Sequence, residues 1–160
     1  MDRSSFIRKS LLGVSAVAGS NLILAACSSG NSTTESVQTK LLASNLIDDP
    51  KAGGLYYTQD APGRWSEKVG GHLPKIESQK VSDKETRIQV ITTHPMNEYD
   101  HYIVKHQLLD SNFQFLMEKV FNPAQDKDPI SEFILPSYKG PLYALSYCNL
   151  HDVWLSAIEV

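Results

Sequence analysis

From Pro74 to Val160 the chain is a series of short runs in which apolar and polar positions alternate, separated by turn-forming residues. In TRIQVIT, residues 86–92, Ile88 and Val90 stand against Arg87, Gln89 and Ile91, the two-residue period of a strand with one buried face. The preceding run, 75–81, is joined to it by Ser82-Asp83-Lys84-Glu85 and predicts a hairpin. Further runs occupy 101–109, 113–120, 131–135, 142–147 and 153–160, with breaks at Asp110-Ser111-Asn112, at 122–129 and at 136–141. Seven short strands at this spacing predict an all-β fold, an immunoglobulin-like antiparallel β-sandwich. Residues 41–64 carry no such pattern: 39–47 could form a helical turn or two, and the Gly, Pro and Asp content of 48–63 reads as loop.

The N-terminus follows a different pattern. Arg3, Arg8 and Lys9 precede an apolar run over 11–26 that is short for a bilayer span and placed where a signal segment belongs. Leu24-Ala25-Ala26-Cys27 resembles a bacterial lipobox, in which the cysteine is lipidated and becomes the mature N-terminus. The polar stretch after Cys27 has the composition of a flexible tether. These features predict a signal peptide over 1–26, a tether over 27–44, an irregular lead-in over 45–64 and one folded domain over 65–160. They also predict an exported chain, lipid-anchored to a bacterial membrane and facing the periplasm or the cell exterior. Loss of residues 1–26 takes the formal charge from −3 to about −5, which argues against nucleic acid as a partner.

Candidate chemistry is confined to a few side chains. With Cys27 lipidated, Cys148 is a lone thiol in an oxidising compartment, which burial, intermolecular pairing or metal ligation would explain. It lies three residues before His151, in a turn between the last two strands. His72, His94 and His101 fall at or near strand ends, where a sandwich presents several side chains to one point. His106 follows His101 by five residues, so in an extended strand it faces the other way and reads as structural. Imidazoles with a thiolate suit iron, copper or zinc rather than calcium or magnesium.

The motifs HLPKIE, THPMNEYDHYI and LYALSYCNLHDVW, in this order, resemble the metal-site segments of the superoxide reductases, the neelaredoxin and desulfoferrodoxin iron-centre domain. The resemblance runs from about Trp65 to Val160. It implies a sandwich holding one mononuclear iron through four equatorial histidines, here His72, His94, His101 and His151, with Cys148 as the axial thiolate. It further implies reduction of superoxide to hydrogen peroxide by inner-sphere one-electron transfer, and association into a homo-oligomer. No C-x-x-C occurs in the chain, so the electron donor would be a separate protein.

Three features depart from the family pattern. A Glu-Lys pair commonly stands directly before the first histidine, whereas Glu67-Lys68 is separated from His72 by Val69-Gly70-Gly71. The spacing from His94 to His101 is one residue longer than usual. Asp152 follows the last histidine where glycine is common. The resemblance nonetheless implies Glu67 as a cap on the resting iron and Lys68 as an attractor of superoxide, which makes them the catalytic candidates. Two alternatives compete: a copper electron-transfer protein, which usually has a methionine soon after its last histidine, and a non-catalytic metal-binding or assembly domain on the same sandwich.

Overall fold

The computed structural model describes residues 49–160. The expected signal peptide over 1–26, the lipidation expected at Cys27, the tether expected over 27–44 and the helical turn considered for 39–47 lie outside the described residues. Among the described residues no helix is long and apolar enough to cross a membrane.

Seven strands form, each on one of the alternating runs: β1 (Lys75–Ser82), β2 (Glu85–Ile91), β3 (Ile103–Leu109), β4 (Phe115–Val120), β5 (Ile130–Pro136), β6 (Pro141–Cys148) and β7 (Val153–Glu159). They pair antiparallel into a three-stranded sheet, β1-β2-β5, and a four-stranded sheet, β4-β3-β6-β7. This is the predicted immunoglobulin-like sandwich. Between the sheets, Ile76, Ile88, Val90, Phe133 and Leu135 pack against Leu108, Leu142 and Ala144. Period-2 alternation along β6 sends Leu142, Ala144, Ser146 and finally Cys148 inward, so the strand's own pleat aims the cysteine into the end of the core.

The lead-in is more ordered than its loop-like composition suggests. Tyr57 lies beside β7, its N–H donating to the Val153 carbonyl at 2.8 Å and its carbonyl accepting from Leu155 N–H at 2.8 Å. Its ring is 2% exposed and packs on Trp154 at 5.6 Å. Composition could not reveal this, because a strand of one or two residues has no period to read. A 3₁₀ turn over Gly63–Lys68 and a single helical turn, α1 (Val69–His72), then lead into β1.

Candidate metal centre

Four connections bring side chains to one end of the sandwich. His72 closes α1, His94 follows β2, His101 precedes β3, and Cys148 and His151 bracket the β6–β7 turn. Donor atoms of His72, His94, His101 and Cys148 all lie within 4.8 Å of one another. His151 Nδ1 joins them, 3.0 Å from His72 Nε2, 2.9 Å from His101 Nε2 and 3.5 Å from Cys148 Sγ. His94 Nε2 is 3.0 Å from His101 Nε2, and the His72 and His94 rings meet edge to face at 4.6 Å.

The four imidazoles thus run in a ring in the order His72, His151, His101, His94. Three successive nitrogen–nitrogen spacings of 2.9–3.0 Å, His72 to His151 to His101 to His94, are of the size expected for imidazoles that share one metal ion at about 2.1 Å. Lone pairs facing one another at this range repel unless a proton or a cation lies between them. The donor set therefore fits a metal ion, and the thiolate beside it suits a transition metal.

The surroundings keep the donors neutral and oriented. His72 Nδ1–H donates to the Lys68 carbonyl at 2.9 Å, which leaves Nε2 as a bare lone pair facing the cluster. Burial pushes His72 and His94 down to about 4, and the neighbouring rings add to the shift. His101 and His151 are also lowered, first by burial and then by nearby positive charge that includes Lys68. Burial raises the Cys148 thiol, while the backbone N–H groups of Leu150 and His151 act in the opposite sense on its sulfur. Trp65 meets the His151 ring edge-on at 4.7 Å, and the Trp154 indole N–H donates to the His151 carbonyl at 2.9 Å.

The departures from the family pattern are absorbed locally. The longer His94–His101 connection folds as a turn in which Asn97 N–H donates to the His101 carbonyl and Glu98 takes φ 47°, so both rings still reach the centre. Asp152 adopts φ 61°, the left-handed geometry that Asp accepts better than most residues. The role of its carboxylate had no signal in the sequence: it accepts from Arg64 Nη2 at 2.6 Å and from the Trp65 indole N–H at 2.8 Å. Glu67 and Lys68 are both exposed on the 3₁₀ turn. The Lys68 charge contributes to the lowering at His101 and His151, whereas Glu67 is not among the converging donors.

His106 lies apart from the cluster and is completely buried. Its ring accepts from the Ser131 hydroxyl and donates to Thr92 Oγ1, both at 2.9 Å, and Thr92 in turn donates to Ser146. Phe121 packs edge-on against it. The structural reading of this residue holds.

The desulfoferrodoxin family profile matches residues 64–157. The superoxide reductase of Pyrococcus abyssi is 34% identical over 110 residues, which is 61% of this chain and 92% of the relative. That of Thermococcus kodakarensis is 37% identical over the same shares. Among solved structures, the superoxide reductase (neelaredoxin) of Ignicoccus hospitalis is 33% identical and superposes with a TM-score of 0.56, covering 68% of this chain and 95% of that one. With its ligand-forming loops gathered at one end of a matching sandwich, this chain belongs to the desulfoferrodoxin family.

Proposed function

We propose that this chain is a superoxide reductase in which His72, His94, His101, His151 and Cys148 would hold one iron. The observation that carries the reading is the gathering of four imidazoles and one thiol, with successive ring nitrogens 2.9–3.0 Å apart and Cys148 Sγ 3.5 Å from His151 Nδ1. Iron bound there supplies the electron that reduces superoxide.

The chain's own residues do the rest. The Lys68 carbonyl fixes the His72 tautomer. Neutral imidazoles with one thiolate leave a ferrous site with a net charge of about +1, and the Lys68 ammonium beside it adds to the attraction for an anion. Burial of Cys148, 7% exposed, shields the sulfur from solvent oxidants. The family resemblance gives Lys68 the further part of organising water for the protons that peroxide release requires. Glu67 is exposed and not among the converging donors, so its role as a cap on the resting state rests on the family resemblance. We further propose, from the sequence, a lipid anchor at Cys27, an exported location, a separate electron-donor protein and a homo-oligomer.

The deciding experiment is the visible spectrum of the iron-loaded chain before and after mild oxidation, beside Cys148→Ser. The expected result is an intense thiolate-to-iron band that appears on oxidation and is missing from the variant, together with consumption of superoxide without oxygen evolution. Iron-replete protein that is inert toward superoxide would overturn the reading.

A further inference from the structure

Along the chain Lys68 is separated from the metal-facing His72 by Val69-Gly70-Gly71, a single turn of helix across which its carbonyl accepts from His72 Nδ1–H at 2.9 Å. A Cβ placed at Gly70 would meet nothing within 4 Å, so no packing stiffens that position. Two adjacent glycines are the least restrained dipeptide a chain can use, and a turn of four residues has little stability of its own. The Lys68 carbonyl fixes only the end of the 3₁₀ turn to His72, and the start of the turn needs a tie of its own.

Asp152, immediately after His151, occupies the position that does so. Its carboxylate accepts from both Arg64 and Trp65, partners 88 and 87 residues away in sequence. The Arg64 guanidinium lies 4.9 Å from the centre of the Trp65 ring, and that ring stands edge-on to His151. Three side chains thereby tie the start of the 3₁₀ turn to the ligand-bearing β6–β7 turn. The arrangement is anchored at its other end as well, because Cys148 N–H donates to the Asp152 carbonyl at 2.9 Å. A surface ion pair alone would be screened and weak; the indole hydrogen bond and the stacked guanidinium give this one a fixed geometry.

We infer that Asp152 is a positioning residue for superoxide capture: through Arg64 and Trp65 it holds the 3₁₀ turn so that Lys68 faces the imidazole cluster despite the flexible Gly70-Gly71 link. The inference rests on the superoxide reductase reading. It also opposes what charge alone predicts, since an aspartate beside the site repels an anionic substrate. Removing it should speed capture if charge is its only effect, and slow capture if it is a clamp.

The test compares the iron-loaded wild-type chain with Asp152→Gly, Asp152→Asn, Lys68→Ala and the Asp152→Gly/Lys68→Ala double variant. Glycine suits φ 61°, so the turn survives while the clamp is lost. One readout is the second-order rate constant with superoxide across ionic strengths. The other is Trp65 emission in the metal-free proteins, against the constant background of the fully buried Trp154. Asp152→Gly is expected to be about three- to tenfold slower, with a flatter ionic-strength dependence and red-shifted emission. Asp152→Asn, which keeps an oxygen acceptor for the indole, is expected between it and wild type. The double variant should be no slower than Lys68→Ala alone.

Asp152→Gly as fast as wild type or faster overturns the inference, as does full additivity with Lys68→Ala or a Lys68→Ala protein of wild-type rate. The thiolate-to-iron band separates the two readings. Present in all five proteins, it leaves the rates to judge the clamp. Absent from wild type, it strikes at the iron assignment, and an unshifted Trp65 emission in Asp152→Gly then overturns the clamp independently.

Discussion

At the scale of single residues, two kinds of histidine share this chain and are distinguished by what surrounds them. Burial pushes His106 down to about 4 from its ordinary 6.5, and Ser131 and Thr92 satisfy both ring nitrogens of the neutral form. The unfolded chain therefore takes up this proton more readily than the folded one. The stability contributed is complete above about pH 6.5 and is lost as the pH falls toward 4, by up to about 1.4 kcal/mol per pH unit for one such group. Replacing His106 with Gln should lower stability at pH 7 by about 1–3 kcal/mol and flatten the acid side of the stability curve. Denaturant titrations at several pH values would measure both effects, and the thiolate-to-iron band should be unchanged. That His106 is structural was legible in the sequence, although the spacing from His101 supplies only part of the reason. His101 precedes β3, and a register irregularity between Ile103 and Lys105 resets which residues of the strand face inward. A bulge of this kind leaves no mark on the alternation that a reader of the sequence would trust.

At the scale of elements, the strands were the most legible part and the connections the least. Alternation marks each strand, because a strand buried on one face writes its orientation into every second residue. The 3₁₀ turn and the lead-in write nothing comparable, since their contacts are with distant residues. Gly63 shows how tightly they are held: it takes φ 48°, and a Cβ there would run into the Gly53 carbonyl and meet the Tyr57 ring. Gly63→Ala should therefore cost about 1–3 kcal/mol, through backbone strain and displacement of Gly53. Because Trp65 follows two residues later, the same substitution should also disturb its emission. A thermal melt paired with fluorescence would measure both, and an unperturbed Tm would count against the close packing of these two segments.

At the scale of the whole molecule, the site was legible as a set of residues long before its neighbours were. His72, His94, His101, Cys148 and His151 announce themselves by residue type and by falling between strands, but the partners that orient them, Lys68 by its carbonyl and Trp154 by its indole, do so through generic groups. The boundary of the folded unit is affected in the same way. A chain begun at residue 65 omits Tyr57 and bares the Trp154 ring it covers. Such a chain should be less stable than one begun at 49 by about 2–3 kcal/mol, from lost apolar burial alone, which comparative denaturant unfolding would measure. The ring of imidazoles itself carries a larger consequence. Four donors already gathered around one point give up little freedom on binding, and they gather for any first-row divalent ion of suitable radius. Affinity in such a site tends to rise from iron through to copper, so equilibrium competition does not favour iron. Iron occupancy then belongs to supply: where copper or zinc is the ion available, the same five donors give a site with the wrong chemistry.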